Sequence, residues 1–138
     1  MKTKPERKQP AYTEEHARAG IHTPLPEIET WPNQYPGYEM EIVIPEFTSM
    51  CPKTGLPDFG TITVRYVPLR KCAELKSFKM YLLAYRSLGI FYENVVNRIL
   101  RDLVRATNPL SATVIGEFNP RGGMYSKVTA NWSRKRGR

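Results

Sequence analysis

Thr61-Ile62-Thr63-Val64-Arg65-Tyr66-Val67 alternates polar and apolar residues with a period of two, and Pro68 closes it. Ile62, Val64 and Tyr66 share one face, which predicts a strand apolar on one side only. Such a strand needs cover on that side. Upstream, Tyr38-Glu39-Met40-Glu41-Ile42-Val43-Ile44 predicts a second strand, with Tyr38, Met40, Ile42 and Ile44 on one face and Pro45 ending it. Downstream the period changes to that of a helix. From Glu74 to Leu88, Leu75, Phe78, Leu82 and Tyr85 form a stripe that Gly89 interrupts. A second stripe of Phe91, Val95, Ile99 and Leu103, widened by Val96 and Leu100, predicts a helix from Phe91 to Ala106 that Asn108-Pro109 stops. Two further strands, Ala112–Phe118 and Tyr125–Trp132, flank the hairpin sequence Asn119-Pro120-Arg121-Gly122-Gly123. The order β-β-α-α-β-β predicts an α+β fold, an antiparallel sheet with two helices on one face. Its two edge strands call for pairing between copies in a symmetric oligomer.

At 138 residues the chain has room for one domain with one modest core. Residues 1–36 are rich in Pro and charge and read as a partly flexible arm. The folded domain is expected over 37–132, with a basic tail at 133–138. The net charge is +8, but residues 9–133 carry 13 Lys and Arg against 12 Asp and Glu. The basic excess therefore sits in the ends, at Lys2, Lys4, Arg7 and Lys8 and at Arg134, Lys135, Arg136 and Arg138. Such ends bind polyanions loosely and say little about the core. Cys51 and Cys72 are too few for a disulfide framework, which points to a reduced, intracellular setting. The apolar runs are too short to span a bilayer, and the basic N-terminus has no apolar stretch behind it to make a signal peptide.

Cys51-Pro52-Lys53-Thr54-Gly55-Leu56-Pro57-Asp58 places a thiol and a carboxylate at the ends of a stiff turn. By spacing alone this is either a surface turn with an incidental Cys and Asp, or a nucleophile and proton donor facing one small substrate. His16 and His22 both lie in the arm, so neither a Cys–His dyad nor a zinc site has support, and no catalytic metal is expected. Cys51 would need activation by Asp58, a nearby cation or backbone N–H groups. No GxGxxG or Walker loop is present. Lys76 and Lys79 lie one turn apart in Glu74-Leu75-Lys76-Ser77-Phe78-Lys79-Met80-Tyr81, as a phosphate-binding pair or as a solvated helix face with Glu74 at its N-terminus. Glu93 opens the second helix. It either offsets the helix dipole or accepts two N–H bonds from a purine-like edge. Arg121 is either an exposed turn residue or an anion contact helped by Gly122 and Gly123.

Taken together, these pieces resemble a known family. Glu74 to Tyr81 is similar to the E-[SL]-K-[SA]-hydrophobic-K-hydrophobic-aromatic signature of the NADPH-dependent 7-cyano-7-deazaguanine reductases, the QueF-type nitrile reductases. Glu46 to Phe59 resembles their catalytic loop, and Phe91-Tyr92-Glu93 and Pro120-Arg121-Gly122-Gly123 follow in the expected order. The resemblance covers 35–132 and is to the single-module branch. It implies a tunnelling fold whose β-β-α-α-β-β units pair edge strands into a barrel by oligomerisation, with pockets between subunits. A homo-oligomer follows, and a decamer of two stacked pentamers is suggested. The resemblance also implies a cytoplasmic enzyme of queuosine biosynthesis acting on a free nucleobase, with no direct tRNA binding and no membrane association. Cys51 would attack the nitrile carbon to give a thioimide, Asp58 would protonate the nitrogen, and two NADPH would deliver hydrides. Ala73, Glu74, Leu75, Tyr92 and Glu93 would meet the substrate. Leu75, Lys76, Arg121 and Gly122, with Lys79 as a weaker candidate, would meet NADPH. Where this family usually has His, this chain has Tyr92, which offers an aromatic wall and a hydroxyl but no imidazole.

Two other readings compete. A cyclohydrolase-like tunnelling-fold enzyme acting on a purine or pterin would commonly need metal ligands or catalytic histidines. A basic RNA-binding protein would need a basic core face with interleaved aromatics.

Overall fold

The protein was analysed as a computed structural model that describes residues 11–135. The basic residues Lys2, Lys4, Arg7, Lys8, Arg136 and Arg138 lie outside the described residues. Four long strands form one antiparallel sheet in the order β2-β3-β5-β6: β2 (Met40–Met50), β3 (Pro57–Val67), β5 (Ser111–Arg121) and β6 (Met124–Ser133). Between β3 and β5 the chain makes α2 (Leu75–Leu83), a 3-10 turn (Ala84–Ser87) and α3 (Tyr92–Thr107). Ile62, Val64 and Tyr66 of β3 are buried together with Phe78 of α2 and Val95 and Ile99 of α3. This is the apolar face that the alternation in 61–67 demands. No described helix is long and apolar enough to cross a membrane.

The structure differs from the expected elements at several points. Pro45 does not end its strand. The β2–β3 register shifts between Ile44 and Phe47, and the strand resumes to Met50. A proline is tolerated there because β2 is an edge strand and the bulge removes the need for its N–H. Asp58 is not at the end of a loop. It belongs to β3, paired with Ser49 of β2. The first helix stops at Leu83 and tightens into the 3-10 turn. The hairpin loop is shorter than the sequence Asn119–Gly123 implies. Arg121 pairs with Met124, and only Gly122 and Gly123 turn, at φ +58° and +78°. Two successive positive φ angles match the twist of the strands they join. Gly116 has a different reason to be glycine: a Cβ there would come within 2.6 Å of the Val96 side chain, so α3 lies directly on β5.

A second, two-stranded ladder joins β1 (Thr30–Pro32) to β4 (Lys71–Ala73). The described part of the segment before β2 lies along α3 of the same chain. Arg98, 7% exposed, donates to the carbonyls of Gly20 and Thr23, and Arg101 donates to that of Ile21 at 2.6 Å. Asp102 holds Arg98 in place at 3.2 Å. α1 (Glu14–Arg18) is a single capped turn at the start of this segment, tied to α3 by Asn94 donating to the Ala17 carbonyl.

Candidate active site

Cys51 follows the last residue of β2 and is partly exposed. Its N–H donates to the Leu56 carbonyl and its own carbonyl accepts from Gly55 N–H, both at 2.9 Å. Gly55 takes the left-handed conformation, φ +68°, that closes this turn. The base of the turn is pinned from the side. Met50 N–H donates to Leu88 at 3.0 Å and Met50 accepts from Ile90 N–H at 2.9 Å. The thiol is therefore set on a turn whose base is tied by backbone hydrogen bonds to the linker between the helices.

Burial pushes the Cys51 thiol up. The Thr54 hydroxyl and the backbone N–H groups of Thr54 and Lys53 pull it down by more, and the Asp58 charge opposes them. The net result lies below the ordinary thiol value, which favours the nucleophilic thiolate. Of the activators open in the sequence, backbone N–H groups contribute behind the Thr54 hydroxyl, and Asp58 works against them.

Asp58 is 6% exposed. Tyr92 donates its hydroxyl to Asp58 Oδ1 at 3.0 Å, and the Arg121 guanidinium meets the same oxygen at 3.0 Å. Arg121 also donates to the Pro57 carbonyl. Tyr92 stacks on Phe118 with ring centroids 4.0 Å apart and planes at 14°. Burial, then the Asp58 carboxylate, raises the Tyr92 phenol, so it stays a donor. Glu93, next to Tyr92, is exposed in the first turn of α3. Cys51, Asp58, Tyr92, Glu93, Arg121 and Gly122 thus gather at one end of the sheet.

The remaining candidates stand elsewhere. Glu74 is the N-cap of α2, with its two carboxylate oxygens accepting from Lys76 N–H at 2.9 Å and Ser77 N–H at 2.7 Å. The Ser77 and Lys76 N–H groups hold its carboxyl below the usual range. The Glu74 side chain is thus engaged at the helix N-terminus. Ala73 is buried at the end of β4, and Leu75, half exposed, lies beside it and Met40 around a small apolar pocket. Lys76 and Lys79 are exposed on α2. Lys79 lines a groove of about 390 Å³ between α2 and the edge strand β2, walled by Ile44, Phe47, Phe78 and Leu82 and ending at Arg86. A dinucleotide's mixed apolar and anionic surface suits such a groove with cations at its rim. Met40 pairs with Tyr66 at one end of β2 and Met50 with Pro57 at the other. Ten residue steps of strand span roughly 30 Å. Within one chain, Ala73 therefore lies by the far end of β2 from Cys51 and Asp58, while Leu75 also lines the groove that reaches Thr48. Two features of this end of the sheet have no signal in the sequence: the Arg121–Asp58 pair, and Ser49, fully buried opposite Asp58 with an Oγ that has no hydrogen-bond partner.

A turn-borne, acidified thiol beside a buried carboxylate, on an α+β sheet, defines a thiol-nucleophile enzyme type. The family described as QueF-like protein matches residues 57–137. The chain is 56% identical over 125 residues to the NADPH-dependent 7-cyano-7-deazaguanine reductase of Elusimicrobium minutum, covering 90% of this chain and 95% of that one. It is 58% identical over 107 residues to the enzyme of the same name from Chloroherpeton thalassium, covering 76% of this chain and 92% of the relative. The chain belongs to the QueF-like family. In fold it is similar to the apo crystal structure of the archaeosine synthase QueF-Like, with a TM-score of 0.63 at 22% identity over 67% of this chain and 91% of that one. That likeness speaks to the fold alone.

Proposed function

We propose that this protein reduces the nitrile of 7-cyano-7-deazaguanine to the primary amine, 7-aminomethyl-7-deazaguanine, with NADPH as reductant, in queuosine biosynthesis. The observation that carries this reading is the Cys51 thiol held on a pinned turn with the buried Asp58 carboxylate near enough for its charge to be felt. The thiol proton passes to Asp58 as Sγ bonds to the nitrile carbon. The same proton moves on to the nitrogen, leaving a covalent thioimide and an ionised Asp58. A nitrile is a poor hydride acceptor, and the adduct's C=N bond is a better one. Bound NADPH supplies hydride, and two equivalents with two protons account for the four-electron change from nitrile to amine. Glu93, exposed at the N-terminus of α3, offers a carboxylate to the N–H edge of the base. Tyr92 and Phe118 supply an aromatic wall.

The active site is read as shared between subunits. Ala73, Leu75 and Lys76 belong to a neighbour of the chain that provides Cys51 and Asp58, because Ala73 lies by the Met40 end of β2 and Cys51 follows its other end, roughly 30 Å of strand away. The backbone of Ala73 and Leu75 then lines the nucleobase pocket, while Lys76, Lys79, Arg121 and Gly122 meet the cofactor. Pairing of the free edges of β2 and β6 between copies would close the sheets into a barrel. A decamer of two pentamers is the assembly this family resemblance suggests, in a cytoplasmic setting and without tRNA contact. The domain division at 37–132 belongs to the same reading. The test is stoichiometric: on mixing with 7-cyano-7-deazaguanine, two NADPH are oxidised per amine formed. Folded protein that oxidises none sinks the reading.

A further inference from the structure

Asp58 carries two donors on one oxygen. Tyr92 Oη and Arg121 both meet Oδ1 at 3.0 Å, whereas no described side chain or backbone N–H bonds Oδ2. A carboxyl group that takes up a proton with Oδ1 so occupied carries it on Oδ2. An O–H on that oxygen has no described acceptor and is open to one.

The opposite residue in the ladder is Ser49 of β2, which pairs with Asp58 of β3. Paired residues project from the same face of a sheet, with Cβ atoms about 5 Å apart. Ser49 is 0% exposed and its Oγ makes no hydrogen bond. It is also two residues before Cys51, on the strand end that Leu88 and Ile90 pin. A hydroxyl left unpaired in a sheet interior costs about 1–3 kcal/mol, so a position that is only structural would be filled better by Ala. A rotation about χ1 brings a serine hydroxyl within reach of a carboxyl oxygen across such a pair.

We propose that Ser49 is a positioning residue for the proton on Asp58. Its Oγ accepts from the Oδ2–H while Asp58 holds the proton taken from the Cys51 thiol. With Asp58 ionised the hydroxyl is left unpaired, as observed, and its lone pairs are free to accept when the proton arrives. Cys51, Tyr92 and Arg121 are the charged or titratable groups facing Asp58, from the turn, α3 and β5 respectively. Tyr92 and Arg121 both act on Oδ1, and none of the three is bonded to Oδ2.

This rests on the nitrile-reductase reading, and the experiment separates the two. Wild-type, Ser49→Ala and Ser49→Thr proteins are compared for kcat, for KM of the nitrile and for Tm. Wild type that turns over no nitrile defeats the underlying reading and this proposal with it. Given active wild type, Ser49→Ala is expected to lose about tenfold or more in kcat. KM should be unchanged and Tm no lower than wild type, since the unpaired hydroxyl is gone. Ser49→Thr, which keeps the hydroxyl, is expected to recover most of that loss. A Ser49→Ala protein with kcat within twofold of wild type overturns the proposal, as a hydroxyl bound only to a buried water would give. So does a fall in kcat accompanied by a lower Tm, which marks a structural role.

Discussion

The Tyr92 hydroxyl donates to Asp58 Oδ1 at 3.0 Å while its ring lies flat on Phe118. One side chain therefore ties the start of α3 to the acid on β3 and to the aromatic on β5. Tyr92→Phe keeps the stacking and removes only the donor. A hydrogen bond to a charged group is worth about 1.5–3 kcal/mol, so kcat should fall by about tenfold or more. Tyr92→His, which offers a ring N–H, should retain more activity than Tyr92→Phe. Steady-state kinetics on the three proteins checks this, and equal activity in all of them would remove Tyr92 from the machinery.

Thr54 holds the Cys51 thiol down through its hydroxyl and its N–H. Thr54→Val removes the hydroxyl contribution, and the thiol should titrate at higher pH. The rate of iodoacetamide alkylation against pH reads this directly. The midpoint in wild type should lie below that of a free thiol, about 8.5, and Thr54→Val should move it upward. Cys72, buried beside Tyr38, should label far more slowly.

Glu74 caps α2 with a carboxyl held below its usual range, chiefly by the Ser77 and Lys76 N–H groups. A carboxylate depressed on folding stabilises at pH above its unfolded value, about 4.3, and that stabilisation is lost as pH falls through the folded value. Glu74→Ala should therefore lower Tm at pH 7, and the gap to wild type should close progressively below pH ~4. Melting curves across that range test it. A gap that persists at low pH would mean the cap acts through something other than its charge.

Arg98 is the buried peg between the N-terminal segment and α3, with Asp102 as its counter-ion. Arg98→Ala frees the carbonyls of Gly20 and Thr23, while Asp102 keeps Arg101 at 3.4 Å and the Tyr81 hydroxyl at 2.5 Å. A hydrogen bond from a charged donor is worth about 1.5–3 kcal/mol. Chemical denaturation should report a loss of that size, and limited proteolysis should cut within 18–25 far sooner than in wild type.

The sheet and α3 are legible in the sequence because both have strong periods. Ile62, Val64 and Tyr66 at spacing two, and Val95, Ile99 and Leu103 at spacing four, leave one arrangement of the apolar face. The β1–β4 ladder is not legible: Thr30-Trp31-Pro32 and Lys71-Cys72-Ala73 are too short to carry a period. The bulge at Pro45 was invisible for a related reason. A proline stops a central strand but not an edge, and edge position is a property of the sheet. At the site, Cys51 and Asp58 stood out by residue type and loop chemistry. Tyr92 and Arg121 were candidates too, but not as partners of Asp58, which they reach only once α3 and the β5–β6 hairpin have docked. Ser49 offered no signal at all, since an unpaired hydroxyl exists only in a packed interior.

The division of the site between copies predicts complementation. Cys51→Ala and a Lys76→Ala, Lys79→Ala double variant should each be inactive or nearly so. Unfolding, mixing and refolding the two together should restore part of the wild-type activity, because some shared sites then draw Cys51 and both lysines from intact chains. A mixture no more active than its components would place the whole site within one chain.

Intact-mass spectrometry of the protein mixed with 7-cyano-7-deazaguanine, without NADPH, tests the central claim most directly. The account predicts a single addition equal to the whole nitrile, abolished in Cys51→Ala and preserved in Cys72→Ala. Folded, oligomeric wild type that gains no mass, or an adduct that survives Cys51→Ala, would contradict it.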